Sequence, residues 1–277
     1  MLSGKGGTGK TFVSTNLFNI LENAIYLDCD VEEPNGHIYL NSEVKEEIPV
    51  NKLIPKVDSK KCDGCRKCID ACKFSSLAMI GKDVFFFGEM CHSCGVCEYI
   101  CPQNAITEIP QNLGVIERRE KDNKNVYTGI LNIGETSGTG IISNLLSYGK
   151  NKKDGENVIV DCPPGSDCSV IESIQHCDYA LIVTEPTIFG LHNMKMIIEL
   201  LTVFNKKFGI IINKSFGKDE IIENFAKENN IPIINKIPFD NYLGKINSEG
   251  KLITNMDVNY KEKFQNIYDE VKRRSKQ

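Results

Sequence analysis

Eight of the chain's twelve cysteines fall between Cys62 and Cys101, and they do so in two runs of identical spacing. The first is Cys62-x₂-Cys65-x₂-Cys68-x₃-Cys72; the second is Cys91-x₂-Cys94-x₂-Cys97-x₃-Cys101, followed by Pro102. The other four, Cys29, Cys162, Cys168 and Cys177, are scattered and read as small core residues. A reducing compartment makes disulfides a poor use for so many thiols. A zinc ribbon would use two C-x₂-C pairs rather than two quartets. The block therefore predicts a metal module set inside something larger, and 277 residues leave room for roughly two domains.

The second constraint stands at the start of the chain. Gly4-Lys5-Gly6-Gly7-Thr8-Gly9-Lys10-Thr11 fits G-x-x-x-x-G-K-[ST] completely. Glycines there let backbone N–H groups converge on phosphate oxygens, Lys10 supplies a charge to the β- and γ-phosphates, and the Thr11 hydroxyl can ligate Mg²⁺. Apolar residues at 13, 17, 20 and 21 predict a helix behind the loop, whose N-terminus faces the same anion.

Short apolar runs at 24–28, 158–160, 180–183, 209–212 and 233–234 read as buried strands, with helical patterns near 190–204 and 218–229. Strand and helix in alternation predict an α/β fold with a mainly parallel sheet. Residues 41–57, with Pro49 and Pro55, read as a boundary segment. Phe264, Ile267, Tyr268 and Val271 lie at helical spacing and predict a last helix packed on the sheet, with a solvated basic end.

K-G-G-x-G-K-T, with its early Lys5, resembles the deviant Walker A loop of the MinD/ParA/Mrp class of ATPases. The resemblance extends in order through Leu27-Asp28-Cys29-Asp30, Asp161-Cys162-Pro163-Pro164-Gly165, Val183-Thr184-Glu185-Pro186-Thr187, Asn213 and Ile237-Pro238-Phe239-Asp240. It implies that Lys5 reaches across an ATP-dependent homodimer and that Asp30 orients the attacking water. It also implies that Asp161 holds Mg²⁺ through water, that Gly165 senses the γ-phosphate and that Asn213 reads the adenine edge. Only Met1 and Leu2 precede Ser3, so the central first strand expected of the family is either very short or completed by residues upstream of Met1.

The cysteine runs carry the spacing of bacterial two-cluster ferredoxins, in which each fourth cysteine ligates the other cluster. Cys62, Cys65, Cys68 and Cys101 are thus expected to hold one [4Fe–4S] cluster, and Cys91, Cys94, Cys97 and Cys72 the second. Lys73 stands where that pattern often has proline, and His92 is expected as a hydrogen-bonding neighbour. The whole chain resembles MinD-superfamily ATPases with an inserted ferredoxin domain: residues 1–55 and 111–277 form the P-loop ATPase, and 56–110 the small α+β insert.

A net charge of −4 gives no basic field for nucleic acid or anionic lipid, and no apolar run reaches 18 residues. The expectation is a cytoplasmic, Mg-dependent ATPase without membrane or nucleic-acid partners. Three functions compete. An ATP-gated electron carrier would dock an unknown redox partner, a cluster or metallocofactor carrier would serve an apo-metalloprotein, and a positioning ATPase would use its clusters as a redox sensor. Two completely ligated cubes leave no labile site, and no C-x-x-C follows Cys101. Electron transfer is therefore placed first.

Overall fold

The computed structural model describes residues 1–276; Gln277, the last residue of the expected second ATPase segment, lies outside the described residues. The strands are β1 (Ala24–Asp28), β2 (Glu43–Val57), β3 (Leu77–Ile80), β4 (Asp83–Phe86), β5 (Ile106–Lys121), β6 (Lys124–Leu131), β7 (Asn157–Asp161), β8 (Ala180–Thr184), β9 (Phe208–Ser215) and β10 (Ile233–Pro238). The α-helices are α1 (Lys10–Ile20), α2 (Gly36–Leu40), α3 (Lys67–Ala71), α4 (Val96–Tyr99), α5 (Thr139–Lys150), α6 (Cys168–Ile174), α7 (Ile188–Val203), α8 (Glu220–Glu228), α9 (Asn241–Ser248) and α10 (Val258–Ser275).

β1 is buried along its whole length, as a strand covered by helices on both faces must be. It pairs in parallel with β6 and β7, while β8, β9 and β10 form a second parallel set. Met1 and Leu2 join the two. The Met1 amino group donates to the Val160 carbonyl at 2.7 Å, and the Cys162 N–H donates to the Met1 carbonyl at 3.1 Å. On the other side Leu2 N–H donates to the Leu181 carbonyl at 2.9 Å, and Val183 N–H donates to the Leu2 carbonyl at 2.8 Å. Two residues thus occupy the centre of one continuous sheet, β2-β5-β6-β1-β7-(Met1–Leu2)-β8-β9-β10.

Alternation along the strands sorts the core into two layers. Leu181, Val183 and Ile211 pack with Phe12, Val13 and Leu17 of α1 and with Phe264 and Ile267 of α10. Ile182, Ile210 and Ile212 point to the other face, against Ile142 and Leu145 of α5 and Ile197 and Leu201 of α7. The tail is therefore a packed helix, as its apolar spacing predicts.

Residues 41–57 are not a boundary loop: β2 runs through both prolines and pairs with β5 from Glu43↔Glu120 to Val57↔Ile106. β2 is an edge strand, where a residue without an N–H leaves no ladder bond unmade. β6 accompanies β5 only as far as Gly114↔Leu131. Beyond that point residues 51–57 and 106–112 continue as a two-stranded ribbon. The ribbon passes unbroken through residues 56 and 110 and carries α3, the β3–β4 hairpin and α4 at its far end.

Candidate functional site

The loop from Ser3 to Gly9 connects the central Leu2 to α1. Gly7 and Gly9 take φ of 78° and 93°, a left-handed region open to glycine at no steric cost. At Gly9 space forbids a side chain too, since a Cβ would lie 2.1 Å from the Asn213 amide nitrogen. That amide donates to the Thr8 carbonyl at 2.7 Å and holds the loop from outside. Gly165, at φ 98°, donates its N–H to the Ser3 carbonyl at 2.9 Å, so the D-x-P-P-G turn is tied to the start of the same loop.

Parallel register places Asp28 beside Asp161 at the ends of β1 and β7. Lys10 lies against this pair, its ammonium donating to Asp161 Oδ1 at 3.0 Å and standing 3.5 Å from Asp30 Oδ2. Burial opposes the charge on Lys10, but Asp161 and Asp30 outweigh it and raise its pKa. Burial also opposes charge on Asp161, yet Lys10 draws that carboxyl below its ordinary range. Asp28 has no such cation in contact; burial, reinforced by Asp161, pushes its pKa up to about 7. Burial raises Asp30 as well. The buried Tyr26 hydroxyl donates to Asp161 Oδ2 at 3.0 Å and lies 2.9 Å from Ser14 Oγ, a positioning group that no motif announces.

A cleft of about 1110 Å³, counted to its open mouth, is lined by the loop from Gly6 to Phe12, by Asp30 to Glu33, and by Pro163 and Pro164. The buried Thr8 hydroxyl has no hydrogen-bond partner among the described residues. A buried ammonium, convergent loop backbone and an unpaired hydroxyl fit a polyphosphate, and Thr11 and Asp161 are oxygen donors suited to Mg²⁺. Of the expected residues, Gly6, Gly7, Thr8, Gly9, Lys10, Thr11 and Asp30 line the cleft; Gly4, Lys5, Asp161, Gly165 and Asn213 stand around it. The Lys5 ammonium donates to Glu185 Oε2 at 2.7 Å, and Lys214 donates to the other oxygen of the same carboxylate at 2.6 Å.

The cysteines collect at two voids of about 340 Å³ each, counted to their open mouths. Cys62, Cys65, Cys68 and Cys101 line one; Cys72, Cys91, Cys94 and Cys97 line the other. Each void therefore takes three cysteines from one run and the fourth from the other. Among the described residues no three His, Cys, Asp or Glu side chains converge on the point of a single metal ion. Backbone N–H groups of Ala105 and Ser93 donate to the sulfurs of Cys101 and Cys91 at 3.3 and 3.5 Å. Eight thiols around two spaces, with N–H groups aimed at sulfur, fit thiolate-held clusters. His92 stands in the wall of the second void, its ring stacked on Phe74 with centroids 3.9 Å apart. Of the remaining cysteines, Cys29 and Cys162 are buried and Cys177 half-buried, but Cys168 is exposed, because α6 turns Val170, Ser173 and Ile174 inward instead.

One contact joins the cleft to the second void. Val31, next to Asp30, accepts a hydrogen bond from Leu131 N–H at 2.9 Å, where β6 enters the loop 132–138. In that loop the Thr136 hydroxyl donates to the Glu89 carbonyl at 2.6 Å, and Glu135 pairs with Lys52. Lys52 donates in turn to the Gly88 carbonyl at 3.0 Å. Gly88 and Glu89 lead directly into Cys91.

A family profile for the CobQ/CobB/MinD/ParA nucleotide binding domain matches residues 1–253. Two uncharacterized Methanocaldococcus jannaschii proteins are 32% identical over 221 residues (76% of this chain, 77% of theirs) and 30% identical over 275 (98% and 95%). An uncharacterized ferredoxin of the same organism is 38% identical over 74 residues, covering 25% of this chain and 90% of its own. Among solved structures, the septum site-determining protein MinD of Pyrococcus horikoshii, complexed with Mg-ADP, covers 98% of this chain and 93% of its own at a TM-score of 0.59 and 18% identity. No helix among the described residues is long and apolar enough to cross a membrane.

Proposed function

The chain belongs to the family of CobQ/CobB/MinD/ParA nucleotide binding domains and is a P-loop ATPase of the MinD/ParA type, and from that premise we propose that it couples Mg-dependent ATP hydrolysis, in a homodimer, to electron transfer through two [4Fe–4S] clusters. The observation that carries this reading is the crossed lining of the two voids, three cysteines of one run with the fourth of the other. The ferredoxin relative, spanning 25% of the chain, supports it independently.

In the nucleotide site Lys10 exchanges Asp161 and Asp30 for phosphate oxygens, and its carboxylate partners become available. Asp161 and Thr11 would hold the Mg²⁺ ion. Asp30, at the cleft wall, orients the attacking water. Gly165, whose N–H donates to the Ser3 carbonyl, would sense the γ-phosphate from the same turn as Asp161. Lys5 leaves Glu185 to reach a partner's nucleotide, and Asn213 keeps the loop in register beside the base.

In the module the eight cysteines act as thiolates, and the clusters supply one-electron storage. Thr136 and Glu135 connect a loop tied to the Asp30 turn through the Leu131–Val31 hydrogen bond to the residues leading into Cys91. Cluster delivery to apoproteins calls for a labile, exposed site, and outside the two runs the single exposed thiol is Cys168.

Anaerobic purification with iron and acid-labile sulfide counted, and EPR recorded with and without ATP, tests the proposal. Iron and sulfide together with an ATP-dependent change in the EPR signal are expected. An iron-free protein, or spectra indifferent to ATP, would refute it.

A further inference from the structure

The two cysteine runs are an internal repeat, so each position in one has an equivalent in the other, and the charged residues do not match. Cys65-Arg66-Lys67-Cys68 corresponds to Cys94-Gly95-Val96-Cys97, and Lys73 corresponds to Pro102. Backbone geometry confirms the equivalence: Gly95 has φ 71° and Arg66 has φ 63°. A left-handed conformation suits glycine and strains an arginine, and strained residues persist where function needs the side chain. The first void is lined by Arg66 and Lys67, the second by Gly95 and Val96 with Glu108.

The asymmetry extends beyond the repeat. Lys56, Lys60, Lys61, Arg66 and Lys67 are all exposed. Lys61 alone of these reaches a carboxylate, Asp58 at 4.0 Å; the other four form no ion pair among the described residues. Three acids lie nearby: Asp70, in α3, forms no ion pair among the described residues, and Asp58 and Asp63 accept local hydrogen bonds. Asp58 accepts from Lys60 N–H at 3.0 Å, and Asp63 accepts from Cys65 N–H at 3.1 Å and from the Gln103 amide at 3.0 Å. From Val84 to Pro110, around the second run, there is no Lys or Arg but Glu89, Glu98 and Glu108.

Position separates the halves as well. The second void, with Pro55 and Glu108 in its wall, lies toward the Lys52–Glu135 contact with the ATPase. The first void, with Val57 and Ile106, lies at the end of the ribbon. At a strand's rise per residue, Val57 stands roughly 17 Å beyond Lys52. The basic end is the end remote from the nucleotide.

We propose that this basic tip, Lys60 to Lys67 with Lys56, is the docking surface for an acidic one-electron carrier protein, and that electrons enter or leave the module through the site held by Cys62, Cys65, Cys68 and Cys101. The inference rests on the proposal that the quartets hold clusters. On contact one electron passes between carrier and module; one is oxidised as the other is reduced, and no bond or proton changes hands. Arg66 and Lys67 steer the acidic face onto the tip, and their charge favours the more negative, reduced form of the adjacent site.

The test uses anaerobically purified full-length chain with flavodoxin as the acidic probe and cytochrome c as the basic one. Binding of oxidised flavodoxin is followed by calorimetry, and its electron exchange with the chain by stopped flow, between 10 mM and 300 mM salt. Wild type should bind flavodoxin, not cytochrome c, with affinity and rate falling at least about tenfold over that salt range. Arg66→Gly with Lys67→Val installs the residues of the second run and should keep the iron and sulfide while lowering both quantities about tenfold. If that variant loses iron, Lys60→Glu with Lys61→Glu, outside the quartet, must produce the same loss of binding with iron intact. Iron-replete variants that bind and react as wild type does would overturn the docking surface and move the contact to the apolar residues beside the second run, such as Tyr99. A wild type that holds no iron would overturn the cluster assignment itself, and the docking surface with it, before any variant is made.

Discussion

The contact between the loop 132–138 and the residues preceding Cys91 sets a size for communication between nucleotide and clusters. Thr136 gives one neutral hydrogen bond to the Glu89 carbonyl, and Lys52 gives a charged one to the Gly88 carbonyl while paired with Glu135. Neutral hydrogen bonds contribute about 1 kcal/mol net and charged ones about 1.5–3. A ligand can bias the module only by the difference these contacts make between the two arrangements, so their sum, about 2.5–4 kcal/mol, is a ceiling. Typical couplings of about 1–3 kcal/mol fall under it. Thr136→Val removes the hydroxyl at nearly constant volume and should reduce the coupling by about 1 kcal/mol, a factor of about five in affinity ratio. Adding Lys52→Met should bring the ratio close to one. The assay is titration of a non-hydrolysable ATP analogue into the dithionite-reduced and the oxidised protein, with thermal melts to confirm that both variants fold. By linkage the same factor of five must appear as a nucleotide-induced shift of about 40 mV in a one-electron potential. Variants that keep the wild-type ratio, in a wild type that shows one, would refute this route of coupling. Equal affinities in the two redox states of wild type would show that the halves merely share a chain.

Three further outcomes follow from the geometry. Anaerobic protein should carry two [4Fe–4S] clusters, about eight irons per chain, and Cys72→Ala should damage the cluster of Cys91, Cys94 and Cys97 rather than that of its own run; stoichiometric zinc without acid-labile sulfide would exclude this assignment. Lys10→Ala should abolish nucleotide binding and, by leaving Asp161 buried without its cation, destabilise the empty protein by about 3–5 kcal/mol, whereas Asp30→Ala should bind nucleotide without turning it over; equal loss of binding in both would remove Asp30 from catalysis. Asp28 holds its proton more tightly folded than unfolded, its pKa pushed up to about 7 by burial and then by Asp161, so its contribution favours the fold at low pH and is lost as pH rises from about 4 to 7. Asp28→Asn should make the nucleotide-free protein relatively more stable at pH 8 and unchanged near pH 4 in denaturant titrations.

The strands legible in the sequence share one property: they are apolar on both faces. Ala24–Asp28 and Ala180–Thr184 are buried throughout, and burial by helices on both sides leaves that composition no alternative. β2 escaped for the opposite reason. β2 is exposed over its first five positions, carries Glu43, Lys45, Glu46 and Glu47 in its first half, and tolerates Pro49 and Pro55 because it lies at an edge. Local composition reads such a segment as a loop. What makes it a strand is its pairing with β5, whose partner residues lie 49 to 77 positions further along the chain, and that pairing is a property of the whole chain.

The same distinction governs the sites. Loop glycines and cysteine spacings are legible because backbone reach fixes them within a dozen residues, and the ferredoxin spacing already carries the expected crossing of the fourth cysteines. Tyr26, whose hydroxyl meets Asp161, and Glu185, which holds Lys5, have partners 135 and 180 residues distant. Glu185 gives Lys5 a meaning that the motif could not. Its carboxylate is shared with Lys214, so the departure of Lys5 leaves the acid still paired. Lys5 is 37% exposed, and exchanging an ion pair of that exposure costs no more than about 1 kcal/mol. In the proposed homodimer a phosphate presented by a second copy would have little to overcome in drawing the lysine away, and Lys214, which also donates to the Gly7 carbonyl at 2.8 Å, would keep the loop in place.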